Sequence, residues 1–298
     1  MSFQKLEGVV PPLITPFTED GEVDKKKLRF LVNFLAHHVH GLFVCGSYGC
    51  GPLMTEQQRK ACVSIVAEEV ARKITIIVHV GSANTATSVS LAKHAEEIGA
   101  YRVASVAPYY YSHTEERIVN HFKRLVDAVN IPVYIYNNPR TVGYAITPET
   151  LAKLEEIGVA GVKDSSFDLM TFSDFIRKTG ESFDVVLGTE ALFLPAYVLG
   201  AKAFIPGLGN AFPEIVVKLY QACIKGNFQQ AKEIQFKVLR LRDVMKIGGS
   251  TIISVYEMLR LRGIDAGVPR LPFFPLDQKR REQIRRALED LKMLEENK

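Results

Sequence analysis

Short apolar runs rich in β-branched residues alternate along this chain with longer stretches whose apolar positions recur every three or four residues. The first kind has the length of a buried strand, the second the period of an amphipathic helix. The runs predict strands over residues 8–15, 41–46, 74–80, 101–107, 131–137, 159–163, 184–188 and 203–206. The periodic stretches predict helices over 24–39, 55–72, 85–98, 114–129, 147–157, 169–179, 190–199 and 212–225. Thr55-x-x-Gln58, Thr114-x-x-Arg117 and Thr147-Pro148-Glu149 each place a hydroxyl before a first turn, with Pro148 at the tolerated first helical position.

Eight βα units in succession predict parallel strands joined by right-handed crossovers. A closed (β/α)8 TIM barrel accounts for eight units and needs about 250 residues. A doubly wound open sheet is the alternative, but it calls for a Gly-x-Gly-x-x-Gly turn after its first strand. Here that strand runs into Pro11-Pro12-Leu13-Ile14-Thr15-Pro16. Beyond residue 225 only helical patterns remain, over 227–245, 251–260 and 276–296. The expected organisation is therefore a barrel over 1–225 and a C-terminal helical extension over 226–298, packed on the barrel to cover one side or meet another subunit. The charges of the last helix read as a solvated face with i,i+4 pairs.

Composition narrows the function classes. The 298 residues are 47% hydrophobic, enough for a sizeable core. Against 37 basic residues stand 33 acidic ones, so no basic domain points to nucleic acid. Cys45, Cys50, Cys62 and Cys223 form no Cys-x-x-Cys pair, which argues for reduced thiols in the cytoplasm over a zinc or redox site. The N-terminus has no apolar run of signal-peptide type, and no segment approaches the ~18 apolar residues that cross a membrane.

In a barrel of this kind the reactive groups gather at the C-terminal ends of the strands. Lys163 ends the predicted strand Val159-Ala160-Gly161-Val162-Lys163. A lysine there is partly desolvated, which lowers its pKa and frees an amine that can attack a ketone and form a Schiff base. The plain alternative is a snorkelling lysine paired with Asp164. On strand five Tyr134 and Tyr136 share a face, and Tyr136 is placed to reach Lys163 and move protons; alternatively it is a core tyrosine. After strand two, Gly46-Ser47-Tyr48-Gly49-Cys50-Gly51-Pro52 offers backbone N–H groups and hydroxyls for a carboxylate, or is an ordinary βα turn.

Pro108-Tyr109-Tyr110-Tyr111 reads as interface packing or as the source of a proton-relay tyrosine. Ser165 lies two residues past Lys163, and small-residue turns at Gly188-Thr189-Glu190 and Pro206-Gly207-Leu208-Gly209-Asn210 leave space over the mouth. His37, His38 and His40 cluster at a helix end away from the mouth, where a helix C-terminus favours positive charge, so no metal is expected there. His79 reads as a core histidine.

Taken together, the Gly-x-x-Gly turn, Tyr-Asn-x-Pro after strand five and Gly-Val-Lys-Asp-Ser at strand six resemble the pyruvate-dependent class I aldolases. That family includes dihydrodipicolinate synthase, N-acetylneuraminate lyase and 2-keto-3-deoxygluconate aldolase. The likeness runs from Gly8-Val9-Val10-Pro11-Pro12 to Pro272-Phe273-Phe274-Pro275-Leu276. It implies that Lys163 is the Schiff-base lysine, Tyr136 the proton-transferring phenol, and Ser47, Tyr48 and Gly49 the carboxylate-binding turn. Gly207 would line the site opposite that turn. Tyr110 would be contributed from a neighbouring subunit, in a homotetramer built as a dimer of dimers. Apart from the lysine no cofactor is implied.

The departures bear on the substrate. Tyr48 stands where the family usually has a hydroxy-amino acid, and Cys50 where the synthase and lyase branches have glutamate. Cys50-Gly51-Pro52 and the tail from Pro269 look like the sugar-acid aldolases, whereas Pro108-Tyr109-Tyr110-Tyr111 also fits the synthase branch. Arg140 occupies the place of a synthase arginine when counted from Gly143, and comes one residue early when counted from Pro139. The expected activity is cleavage or formation of the C3–C4 bond of a 4-hydroxy-2-keto acid, a 2-keto-3-deoxy sugar acid foremost, with pyruvate and an aldehyde as partners. The alternatives are condensation of pyruvate with aspartate semialdehyde, dehydration of a keto-deoxy sugar acid, and a barrel that only binds a carboxylate.

Overall fold

The structure is a computed structural model and describes residues 3–294. Its strands are β1 (Gly8–Val9), β2 (Gly41–Val44), β3 (Thr75–His79), β4 (Arg102–Val106), β5 (Val133–Asn137), β6 (Gly161–Asp164), β7 (Asp184–Leu187) and β8 (Ala203–Phe204). Between them run α1 (Lys25–Ala36), α2 (Glu56–Val70), α3 (Thr85–Glu97), α4 (Glu115–Val126) and the short α5 (Pro139–Val142). Next come α6 (Pro148–Glu156), α7 (Leu169–Lys178) and α8 (Phe193–Val198). After β8 follow α9 (Pro213–Ile224), α10 (Phe228–Ile247), α11 (Thr251–Leu261) and α12 (Gln278–Asp290).

The strands form one parallel sheet in the order β1-β8-β7-β6-β5-β4-β3-β2. The seam between β1 and β2 is drawn shut by His40 N–H to Val9 O, Phe43 N–H to Pro11 O and Leu13 N–H to Phe43 O. The expected (β/α)8 barrel is therefore present. The first strand is much shorter than the predicted 8–15, because Pro11 and Pro12 have no N–H to give to the ladder.

Two apolar bodies hold the barrel. Residues of the strands that point outward pack with the helices: α1, for example, buries Leu28, Leu31, Val32 and Leu35, spaced three or four apart along one face. Inward-pointing residues, among them Val10, Phe43, Ile77, Ala104, Tyr134, Tyr136, Val186 and Ile205, fill the interior. Below them the N-terminal segment plugs the barrel. Arg102 donates to Gln4 O and Tyr134 Oη, Tyr134 Oη donates to Asp184, and the Asp184 carboxylate also accepts from Leu6 N–H at 2.7 Å. Arg102 and Asp184 are both buried, and pair at 3.2 Å.

Helix ends follow local chemistry. Thr55 and Gln58 form a reciprocal capping box, and Thr147 accepts from Thr150 N–H. Thr114 stands at the expected position, but its hydroxyl caps nothing. The helix predicted over 190–199 is confined to α8, because Glu190 is turned away into the barrel mouth. The helix predicted over 276–296 begins at Gln278, where Asp277 accepts from Arg280 N–H; residues 295 and 296 lie outside the described residues. Of the three C-terminal helices, α10 packs on α8, α9 and the turn after β8, α11 packs on that turn and on α10, and α12 packs on α10 and α11. No helix among the described residues is long and apolar enough to cross a membrane.

Candidate active site

β5 and β6 pair in register so that Tyr136 lies directly opposite Lys163. Both point into the barrel near its C-terminal end. Lys163 is only 3% exposed, with its Nζ 3.7 Å from the centre of the Tyr136 ring and 3.8 Å from that of Phe43. Burial lowers its pKa, which the nearby phenol partly offsets. The suggested pairing with Asp164 does not occur, because successive strand residues face opposite ways. Asp164 points out of the interior and accepts from Asn137 Nδ2 at 2.7 Å and Ser166 Oγ at 2.7 Å. Among the described residues Lys163 has no carboxylate partner.

Tyr136 is boxed by aromatic edges. Phe43 and His79 meet its ring edge-on at 5.7 and 5.8 Å. Its hydroxyl accepts from Asn138 Nδ2 at 3.0 Å. Burial alone would raise the phenol's pKa, but the Lys163 charge and the hydroxyls of Ser47 and Ser165 outweigh it and bring the pKa below the usual phenol value. A phenol and an amine whose proton affinities are both lowered suit proton exchange with each other. His79 is the expected core histidine: its Nδ1 meets Cys45 O at 3.1 Å, and burial holds it neutral.

The turn after β2 lies beside this pair. Among the described residues the backbone N–H groups of Ser47, Tyr48 and Gly49 have no acceptor, while Gly49 O is fixed by the Thr15 hydroxyl at 2.8 Å. Three adjacent free N–H groups on an anchored turn are able to accept a carboxylate. A Cβ on Gly49 would stand 2.9 Å from Leu13 O, so the turn needs glycine there. Tyr48 sends its side chain elsewhere: its hydroxyl donates to Thr251 Oγ1 at 2.9 Å and its ring lies over Gly207. Ser165 Oγ donates to Gly188 O at 3.4 Å.

Two expected residues sit apart from the amine. Arg140 is exposed on the rim, its guanidinium 4.8 Å from the centre of the Phe167 ring. Tyr110 is 86% exposed, its ring set edge-to-face with that of Tyr111. The three clustered histidines go separate ways: His37 bonds Asn33 O, His38 lies against Phe34, and His40 accepts from Val9 N–H.

Three residues at the mouth are not read from the sequence as part of the site, and Glu190, expected in a turn that leaves space, instead fills it. Glu190 is buried, accepts from Gly207 N–H at 3.0 Å and pairs at 2.6 Å with Arg242 of α10. Thr251 of α11 holds Tyr48. Arg242 and Thr251 come from the extension, which spacing along the barrel strands does not reach. A buried Glu190 opposite a long helix bearing Arg242 could be recognised only once that helix had been placed.

The sequence pattern of the dihydrodipicolinate synthetase family matches residues 5–291. The chain is 33% identical over 289 residues to 4-hydroxy-tetrahydrodipicolinate synthase of Archaeoglobus fulgidus, covering 97% of this chain and 99% of that one. It is 35% identical over 291 residues to an uncharacterized DapA-like lyase of Halobacterium salinarum, covering 97% and 95%. Among solved structures, YagE, a prophage protein of the dihydrodipicolinic acid synthase family from E. coli K12 in complex with pyruvate, superposes with a TM-score of 0.92 at 27% identity, covering 97% of this chain and 99% of that one. Dihydrodipicolinate synthase of Aquifex aeolicus superposes with the same TM-score at 30% identity, covering 98% and 100%.

Proposed function

This chain belongs to the dihydrodipicolinate synthetase family, and from that premise we propose that it makes or breaks the C3–C4 bond of a 4-hydroxy-2-keto acid through a Schiff base on Lys163. The family's enzymes are class I lyases and aldolases, and this chain is one of them. The observation that carries the proposal is Lys163 itself, buried between two aromatic rings, directly opposite a phenol and, among the described residues, without a carboxylate partner.

In the proposed reaction the C1 carboxylate of the keto acid sits on the N–H groups of Ser47, Tyr48 and Gly49. The neutral Lys163 amine adds to C2, and Tyr136 moves the protons that turn the carbinolamine into an iminium with loss of water. The iminium is the electron sink. When the C4 hydroxyl loses its proton, the C3–C4 bond breaks, the aldehyde leaves and an enamine remains. Protonation at C3 and hydrolysis return pyruvate and the free lysine. The covalent lysine serves as the reaction's own electron sink, so the scheme calls for no separate cofactor. Tyr110, turned outward, is assigned to a neighbouring copy's site within a homotetramer.

For the acceptor, a sugar-acid aldehyde is the first reading. Cys50-Gly51-Pro52 forms a tight turn there, and the Tyr48 hydroxyl is committed to Thr251. A second reading, condensation of pyruvate with aspartate semialdehyde, is favoured by the names of relatives such as those of Archaeoglobus fulgidus and Methanopyrus kandleri. Coupled assays separate the two. Pyruvate release from 2-keto-3-deoxygluconate or a close relative supports the first; condensation with aspartate semialdehyde alone overturns it in favour of the second.

A further inference from the structure

The mouth of the barrel is closed on one side by a chain of contacts that begins and ends in the C-terminal extension. From α10, Arg242 Nη1 reaches Glu190 Oε1 at 2.6 Å. The other carboxylate oxygen, Oε2, accepts from Gly207 N–H at 3.0 Å. A Cβ on Gly207 would lie 2.3 Å from the Tyr48 hydroxyl oxygen, so the bare Cα is what lets the phenol rest there. That hydroxyl donates to Thr251 on α11 at 2.9 Å. The Tyr48 side chain thus crosses from the turn after β2 to the turn after β8. The strand order puts the end of β1 between those two turns.

A side chain in that place takes up room at the mouth, between the turn after β2 and the turn after β8. The turn that carries Tyr48 also presents the free N–H groups, so a keto acid anchored by its carboxylate would extend past the ring. We propose that Tyr48 is a specificity-determining wall that limits the chain length of the 2-keto acid the pocket admits, and that Arg242 is a positioning residue acting on it through Glu190 and Gly207. This rests on the Schiff-base reading of Lys163. A wall of fixed position discriminates by excluded volume, and a pocket contact of this kind changes preference by about ten- to two-hundredfold per methylene-sized difference.

The test needs no knowledge of the natural aldehyde. Borohydride trapping on the full-length protein is compared for pyruvate, 2-oxohexanoate and 2-oxooctanoate, and the half-saturating concentration of each is measured. In the unaltered protein 2-oxohexanoate is expected to be trapped well and 2-oxooctanoate poorly. Tyr48→Thr should narrow the ratio of their half-saturating concentrations by about tenfold or more. Thr251→Val and Arg242→Gln keep the ring but loosen it, and should narrow the ratio by a smaller factor in the same direction. A merely structural loss would weaken trapping of all three acids together. If Tyr48→Thr still traps pyruvate while the ratio stays within about twofold of the unaltered protein's, the wall is refuted. If Tyr48→Thr does not fold, an unmoved ratio in both Thr251→Val and Arg242→Gln refutes it instead. Absence of any pyruvate adduct in the unaltered protein overturns the Schiff-base reading, a result distinct from either.

Discussion

Tyr136 and Lys163 face each other across the β5–β6 ladder, and the lysine nitrogen stands 3.7 Å from the centre of the phenol ring. Register alone sets this up: both residues occupy inward positions of neighbouring strands, near the end where a barrel opens. The register thus fixes where both side chains leave the backbone, which suits a proton transfer between them.

The buried lysine should be held at some cost to stability. Its pKa in the folded protein lies below the ordinary 10.5, so between those two values the unfolded chain binds more protons than the folded one. Stability should rise with pH through that window, with the full penalty present below the folded value. Lys163→Met removes the penalty. It should raise Tm by about 2–4 °C at pH 7 for each kcal/mol regained, while abolishing turnover. Calorimetry showing a lower Tm would contradict this account of Lys163.

Tyr136→Phe keeps the ring over the lysine and loses only the hydroxyl. The rate of imine formation should fall about 10²–10⁴-fold, and stability should fall by about 1–3 kcal/mol as Asn138 Nδ2 loses its acceptor. Stopped-flow measurement of adduct formation checks it. A rate within about threefold of the unaltered protein's would take the proton-transfer role away from Tyr136.

Gly49→Ala should weaken carboxylate binding. The new methyl would meet Leu13 O at 2.9 Å and Cys45 N at 3.2 Å, both backbone atoms that cannot swing aside. The turn must shift and its N–H groups with it. The KM for pyruvate should rise about tenfold or more, in line with a lost charge-assisted bond. An unchanged KM would place the carboxylate elsewhere.

At the opposite end of the barrel, Asp184→Ala should destabilise strongly. It leaves the Arg102 guanidinium buried without its counter-charge and Leu6 N–H without its acceptor. A loss of about 3–5 kcal/mol is expected in denaturant unfolding. Because this network is remote from the mouth, kcat measured well below Tm should be nearly unaffected. A large drop in kcat there would mean that the floor of the barrel controls the site.

What the sequence made legible follows from what its patterns encode. Strand and helix periods repeat locally, so eight βα units could be read, and the barrel rule then gathered Lys163, Tyr136, Ser47 and Ser165 at one end. Long-range side-chain commitments are not encoded that way. Nothing local says that Glu190 leaves its helix for Arg242, or that Tyr48 gives its hydroxyl to Thr251 more than two hundred positions on. The same limit explains Asp164, which is adjacent to the lysine in sequence yet faces the opposite side of its strand.

The most direct test is borohydride reduction in the presence of pyruvate, followed by peptide mass spectrometry, with Lys163→Ala as control. The account predicts a reduced pyruvyl adduct on Lys163 in the unaltered protein and none in the variant. A folded protein that gives no adduct, or carries it on another lysine, would contradict it.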